Sequence, residues 1–207
     1  QTWTLPAALT VKVVYDRAPL IVAPNATELN ITAFFNEKSA AACIQSALNS
    51  PLLRTLSLTD TTGGITTSAH DHSVLANSAR NGSPWPKLRE LTVDFALEAA
   101  TIDALDCPQL AVISIVAADN ATPEHVQRLL KRHLLLRTVR VFSCDRDEEQ
   151  PSKAQQQPSL PHPTTMTALK SLQIHVCDNA LFSSFSFPQL KTLVLGSRSE
   201  LVLHSFE

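Results

Sequence analysis

The chain has 207 residues, of which 44% are apolar and 17% are charged, and its formal net charge is −2. This balance is typical of a folded globular protein and excludes a disordered or fibrous one. A pI of about 6.4 indicates no electrostatic field that would attract nucleic acid or an anionic membrane, and no run of 18 or more apolar residues is available to span a membrane.

One short phrase, Pro-x-apolar-x-x-apolar-x-apolar, returns along the whole chain. Its first apolar residues in the eight copies are Ala8, Ala26, Leu53, Leu88, Leu110, Leu136, Leu169 and Leu190. Six copies carry the proline two residues earlier, and the copies at Leu136 and Leu169 lack it. Proline presets φ and withholds an amide proton, which suits the point where a loop enters a short strand. The sequence therefore predicts a single repeat domain of about eight irregular units over residues 1–207.

Each copy is predicted to form a strand, and helices are predicted in several segments between strands. Residues 36–48, 97–105 and 122–133 have helical apolar spacing, and the last of these begins with Thr122 as N-cap followed by Pro123. Strands that alternate with helices at this period are parallel, because each return crosses over the sheet.

Two intervals are too long for one repeat, and the spacing breaks near the end of the chain. Residues 61–85 and 145–166 are rich in polar and turn-forming residues, so we expect loop insertions there. A hairpin that caps the sheet is expected over residues 190–206, and a truncated further repeat fits the same residues.

Alternation along each strand separates an inward row from an outward surface. The predicted structural core includes Leu56, Leu91, Ile113, Val139, Leu172 and Leu193. The predicted partner-binding surface consists of Thr92, Asp94, Ser114, Val116, Arg140, Phe142, Gln173 and His175. Arginine and an exposed aromatic residue are typical of binding hot spots, whereas the β-branched residues are equally explained by strand propensity.

Three of the four cysteines mark positions in the repeats. Cys144 and Cys177 both stand three residues after the third apolar position, and Cys107 begins the run Cys-Pro-Gln-Leu. Steps between copies average 26 residues, and with the L-x-x-L-x-L phrase this spacing resembles that of leucine-rich repeats. Cys107-Pro108 and the two strand-end cysteines resemble the repeats of F-box/leucine-rich-repeat proteins, the substrate receptors of Skp1–cullin–F-box ubiquitin ligases.

The resemblance implies an α/β fold, a right-handed solenoid with a parallel concave sheet and short helices or loops on the convex side. It implies a cytoplasmic or nuclear scaffold that binds a protein substrate, with neither chemistry nor a cofactor of its own. A Skp1-type adaptor would join through an F-box, which would have to precede Gln1. Cys144 and Cys177 are then structural thiols at the ends of neighbouring strands.

Four N-glycosylation sequons support a different hypothesis. They begin at Asn25, Asn30, Asn81 and Asn120. A secreted or cell-surface repeat ectodomain that binds a protein ligand is therefore the alternative, although Asn30 falls on the predicted outward surface.

No residue pattern indicates an enzyme, a metal site or a nucleic-acid site. His70-Asp71-His72 is the one compact cluster of metal-ligating types, and it lies in a loop insertion that offers no fixed geometry. Nucleotide-binding loops and nucleophile motifs are absent from the sequence. The basic run from Arg128 to Arg140 is predicted to form local ion pairs, because helix and strand geometry scatter its members over different faces.

Overall fold

One large sheet dominates the computed structural model, which describes residues 2–15, 20–33, 45–60, 85–97, 99–117, 122–143, 163–175, 184–197 and 200–205. The strands of these residues are β1 Thr2–Thr4, β2 Thr10–Tyr15, β3 Leu20–Val22, β4 Glu28–Ala33, β5 Thr55–Asp60, β6 Glu90–Leu97, β7 Val112–Ala117, β8 Thr138–Ser143, β9 Thr164–Thr165, β10 Ser171–Ile174, β11 Phe185–Ser186, β12 Thr192–Ser197 and β13 Glu200–Ser205. Two helices of these residues are α1 Ala99–Ala104 and α2 Pro123–Arg132.

Each of the eight copies contributes one strand to the large sheet. Strands β2, β4, β5, β6, β7, β8, β10 and β12 are parallel neighbours in chain order, and β13 adds to β12 antiparallel. The second apolar positions are aligned across all eight strands as Val11, Leu29, Leu56, Leu91, Ile113, Val139, Leu172 and Leu193. The prediction of an α/β protein with a parallel sheet is therefore confirmed.

The aligned apolar rows form the core on one face of the sheet, which we call the inner face. From β2 to β10, both rows are buried, and Ile102, Val126, Leu129 and Leu130 of the helices belong to the same core. Leu193 is only half-buried against it. Burying each of these side chains contributes about 1.5–3 kcal/mol before the entropy of folding is counted.

A β-turn precedes the strand in each proline-led copy. The amide of the first apolar residue donates to the carbonyl three residues earlier, as Leu88 does to Trp85 at 3.2 Å and Leu110 does to Cys107 at 2.9 Å. The proline thus occupies the second position of the turn, where a fixed φ near −65° is required. The copy without proline at Leu136 makes the same turn, with His133 as the acceptor at 3.2 Å.

A second backbone contact joins every copy to the next. The carbonyl of the residue after the first apolar position accepts two amide protons from the following copy. For example, Arg137 N and Thr138 N both donate to Ala111 O, at 2.7 and 3.1 Å. Because the contact involves only backbone atoms, it places few demands on the side chain at this position.

The helices pack together below the inner face of the sheet. Helix α2 agrees with the predicted 122–133, and α1 falls within the predicted 97–105. Residues 45–48 are helical, whereas 36–44 lie outside the described residues. Arg128 of α2 holds Asp103 of α1 through two hydrogen bonds, Nε to Oδ1 at 2.9 Å and Nη2 to Oδ2 at 2.8 Å.

Three features differ from, or add to, the sequence-based expectations. Strand β6 carries a bulge between Val93 and Ala96, so Ala96 rather than Asp94 lies opposite Val116. Two short parallel pairs, β1 with β3 and β9 with β11, lie ahead of the turns and were not expected. Most of the two loop insertions lies outside the described residues.

Candidate functional site

The face of the sheet opposite the core, here called the outer face, carries most of the predicted binding residues. Cross-strand pairing places Thr92, Ser114, Arg140 and Gln173 in one continuous row over β6, β7, β8 and β10. Phe142 lies opposite Val116 in the next row. The structure therefore brings these six side chains together on four adjacent strands.

Phe142 and His175 extend this group at the carboxyl ends of the strands. Their ring centroids are 5.1 Å apart at an interplanar angle of 64°, an edge contact. The His175 backbone amide donates to Val141 O at 2.9 Å, which holds the residue beside β8. Its Nε2 atom is inaccessible to solvent and has no hydrogen-bond partner among the described residues.

Exposure differs among these residues. Arg140 is exposed, while Phe142, Gln173 and His175 are half-buried. No hydrogen bond or ion pair of the Arg140 side chain occurs within the described part of the chain. A free guanidinium beside a partly exposed aromatic pair and an amide is suited to contact another protein surface.

Asp94 is the exception within the predicted surface. It is exposed, but the bulge in β6 removes it from the position opposite Val116. Asp94 is aligned with Thr59 on the other neighbouring strand, β5, whereas Asp94 and Phe95 have no counterpart in β7.

The ends of the outer face differ from its middle. Val14 on β2 is 81% exposed, whereas Val194 on β12 is 7% exposed although it aligns with Arg140 and Gln173. Val194 therefore adds no accessible surface to the binding row.

A row of cations lies at the edge where the parallel strands begin, and it was not predicted. The residues directly after the first apolar position, which we call the edge row, include Arg54, Arg89, Ala111, Arg137, Lys170 and Lys191. The five basic members are exposed. Aligning the eight copies and comparing this position between them would have found the row.

A depression of about 730 Å³ opens in the middle of this edge. Its lining consists of Arg89, Glu90, Gln109, Ala111, Val112, Leu135, Arg137 and Ala168. The small Ala111 between Arg89 and Arg137 leaves the space, and we call the depression the edge groove.

The basic run from Arg128 to Arg140 divides between two environments. Arg128 pairs with Asp103, and Arg132 Nη1 donates to the carbonyls of Asp103 and Leu105, the latter at 2.9 Å. The hydrogen bond from Arg128 holds the pKa of the Asp103 carboxyl below its usual range. Local ion pairing is thus confirmed for Arg128, whereas Arg137 and Arg140 lie on the sheet.

One group of side chains has the residue types of a catalytic triad, with a hydroxyl, a base and an acid: Thr122, His125 and Asp103. Their contacts instead lie at the start of α2. His125 Nδ1 accepts the Thr122 backbone N–H at 3.1 Å, and its Nε2 lies 3.8 Å from Asp103 Oδ2. The Nδ1 lone pair is therefore already used in capping the helix. Glu124, also in the first turn, accepts a hydrogen bond from the Thr122 hydroxyl.

Cys107 and His133 form a buried contact between two turns. His133 Nδ1 donates to Leu129 O at 2.9 Å, so its Nε2 is free to accept the Cys107 N–H at 3.1 Å. Burial, with a smaller effect from Asp106, raises the pKa of the Cys107 thiol to about 12. The thiol is therefore protonated at neutral pH and is not a nucleophile. Cys144 and Cys177 lie outside the described residues.

The described residues contain neither a cluster of metal ligands nor a membrane-spanning helix. Within them, no group of three or more His, Cys, Asp or Glu side chains is placed to hold a metal ion. His70, Asp71 and His72 lie outside this part of the chain. No helix of the described ranges has the length and apolar character needed to cross a membrane.

The described strands and helices define the class of the protein as an α/β protein with one large, mainly parallel sheet. Comparison with protein-family models, with curated protein sequences and with solved structures produced no match.

Proposed function

We propose that the chain is a leucine-rich-repeat solenoid whose outer face binds a protein partner without catalysing a reaction. The observation that carries the proposal is the grouping of Arg140, Phe142, Gln173 and His175 on β8 and β10. Eight sequence copies that supply eight parallel strands in chain order support the solenoid. In such an array the strand face presents a continuous surface on which a partner can lie.

The more specific proposal is the substrate-binding domain of an F-box-type ubiquitin-ligase subunit. It rests on the resemblance of Cys107-Pro108 and of the strand-end cysteines to that family. The buried, unpaired Cys107 is compatible with a reducing compartment. A Skp1-type adaptor would then bind an F-box elsewhere in the protein, and the outer face would hold the substrate.

A secreted or cell-surface ectodomain is the second candidate, favoured by the position of Asn25. This sequon residue is exposed in a β-turn, and its Nδ2 donates to Pro6 O at 2.6 Å. By contrast, Asn30 is half-buried and donates to Glu28 Oε1 at 2.8 Å. Intact mass before and after glycosidase treatment, on protein from the native host, separates the two candidates.

The test of the outer face is a double substitution, Arg140→Ala with Phe142→Ala. The matched control is Lys12→Ala with Val14→Ala, which removes one cation and one exposed apolar side chain from the same rows on β2. Partners are captured from native-host extract on immobilised wild-type protein and quantified by mass spectrometry. We expect recovery of the specific partner to fall by about tenfold or more with the first variant, as for the loss of a hot spot, and to be retained by the control.

Equal recovery with the two double variants would contradict the proposal. Thermal unfolding of both variants must match that of the wild-type protein, since all four side chains lie on the outer face.

A further inference from the structure

The edge row forms a line of charge that the proposed outer-face site does not use. Its cations are Arg54 on the turn before β5, Arg89 before β6, Arg137 before β8, Lys170 before β10 and Lys191 before β12. Consecutive members are held at strand spacing, about 4.8 Å, because each backbone carbonyl bonds to the amides of the next copy. Within the described residues none of these five side chains forms an ion pair or a hydrogen bond.

The edge groove interrupts this line with apolar surface. Besides Arg89 and Arg137, its lining includes the apolar residues Ala111, Val112, Leu135 and Ala168. Leu135 is 58% exposed and its neighbour Leu134 is 47% exposed, which makes them two of the few large apolar side chains in solvent among the described residues. Exposed leucines beside unpaired arginines combine apolar contact area with charge, as do surfaces that bind a partner.

We propose that the edge row and the edge groove bind an acidic, extended segment of a partner protein that places one large apolar side chain in the groove. The carboxylates of the segment pair with Arg89 and Arg137 on the two sides of the groove. Lys170 and Lys191 continue the contact in one direction and Arg54 in the other. The surface lies at the start of the strands, apart from Arg140 and Phe142, so this proposal does not depend on the outer-face site.

Spacing and composition favour a peptide over a nucleic acid. From Arg54 to Lys191 the row crosses five strand intervals, about 24 Å, which an extended peptide covers with about seven residues. No aromatic side chain among the groove residues is available to stack on a nucleic-acid base. The apolar lining residues Ala111, Val112, Leu135 and Ala168, by contrast, can contact an apolar side chain of a peptide.

The test is a fluorescence-anisotropy titration of the full 207-residue chain with a fluorescein-labelled peptide that has four glutamates on each side of one leucine. Comparison probes are the same peptide with serine for leucine, the same peptide with lysines for glutamates, and a nine-nucleotide thymidine strand. We expect the leucine-containing acidic peptide to bind most tightly. Its affinity should fall as NaCl rises from 50 to 300 mM, because exposed charges are screened.

Charge reversal then locates the site. Arg137→Glu should weaken the acidic peptide about tenfold, since it replaces an attraction by a repulsion at the groove. The control Lys12→Glu makes the same change of net charge on β2, three strand intervals from β6, and should change the affinity by less than about twofold. Arg89→Glu, on the opposite wall, is the second variant should Arg137→Glu fail to fold by circular dichroism.

Several outcomes would overturn the proposal. These are no binding of the acidic peptide by the wild-type chain, equal losses with Arg137→Glu and Lys12→Glu, and binding of the thymidine strand as tightly as the peptide. Equal affinity for the serine and leucine peptides would refute the apolar contact in the groove.

Discussion

The first residue of each β-turn, whose carbonyl accepts the turn hydrogen bond, affects how neighbouring copies pack together. The acceptor position of the β-turn holds a buried residue in the five copies from β4 to β8, namely Ala23, Ser50, Trp85, Cys107 and His133, whereas Leu5 and Phe187 in the first and last copies are exposed and half-buried. Polar members of this group find specific partners: Ser50 Oγ donates to Ala23 O at 3.1 Å, and Trp85 Nε1 donates to Ala47 O at 3.0 Å. In the copies from β4 to β8 the position is therefore part of the core even though it has no common residue type.

His133 makes stability depend on pH. Burial lowers the pKa of its imidazole below the usual value of 6.5, more than the hydrogen bond to Leu129 raises it. Between the folded pKa and about 6.5 the unfolded chain binds a proton that the native protein does not, so the free energy of unfolding rises with pH in this window. The contribution of His133 to the free energy of unfolding is therefore fully present above pH 6.5 and is lost as the pH falls.

We therefore expect the wild-type protein to lose up to about 1.4 kcal/mol of stability per pH unit from this group below pH 6.5. His133→Gln should lower the stability at pH 7.5 by about 1–3 kcal/mol, through lost or distorted contacts to Cys107 N and Leu129 O, and should flatten the pH dependence. Urea unfolding of both proteins at pH 7.5, 6.5 and 5.5 measures the two effects. An unchanged slope in the variant would mean that other groups control the acid response.

At the scale of the element, the proline-led turn explains why the repeated phrase begins as it does. The turn at Leu136 has Leu134 where other copies have proline. Leu134 is 47% exposed and its amide donates no hydrogen bond within the described residues. The preceding His133 has φ −118° and ψ 67°, outside the helical region that proline disfavours in its predecessor.

Leu134→Pro should accordingly stabilise the protein by about 0.4–1 kcal/mol, because it restricts the unfolded chain without removing a native contact. The matched control is Leu135→Pro, which puts proline at the third position of the turn and should destabilise the protein. Denaturant midpoints at constant m-value give both numbers. Stabilisation by neither substitution, or by both, would show that the turn does not account for the recurring proline.

Strand register was predictable and the bulge was not. The apolar spacing aligned Leu91 with Ile113 and Ile113 with Val139, because period-two burial allows only one register per strand. After Val93 the sequence Asp-Phe-Ala-Leu continues to alternate well enough to read as plain strand, and only pairing with β7 shows that Asp94 and Phe95 are extra. The three-residue β1 and β3 are too short for any period to be detected.

The cations of the edge row were not predicted from the sequence, for a different reason. Along the chain, Arg137 groups with Arg128, Arg132 and Arg140, which suggests one basic run. In the structure Arg128 and Arg132 bind Asp103 and Leu105, while Arg137 lies across the edge groove from Arg89, which is far away in sequence. Each copy contributes at most one basic residue to the edge row. The row is therefore recognised only when the same position is compared between copies.

At the scale of the whole molecule, the described strands of the parallel array pair with their neighbours in chain order. Stability of such an array is approximately the sum of the units and of the contacts between neighbours. A disruption should therefore have different consequences in the middle and at the end of the sheet.

Ile113→Asp on the central β7 should lower the free energy of unfolding by about 4 kcal/mol or more, since an unpaired carboxylate enters the core between two strands. Val13→Asp on β2, the edge strand among the described residues, has one neighbour, β4, and should cost less. Hydrogen exchange should show lost protection on both sides of β7 in the first variant and near β2 only in the second. Uniform loss of protection with Val13→Asp would indicate one indivisible folding unit.

The backbone contact between copies has a consequence for how this protein can change over evolutionary time. One carbonyl accepts hydrogen bonds from two backbone amides of the following copy. The contact between copies therefore uses backbone atoms that every amino acid except proline supplies. Mutations at Arg89, Ala111 or Arg137 can therefore alter what the edge recognises while this contact persists. Binding specificity at the edge depends on side chains, whereas the contact between copies depends on backbone atoms. A substitution in one copy can therefore change specificity without changes in the neighbouring copies.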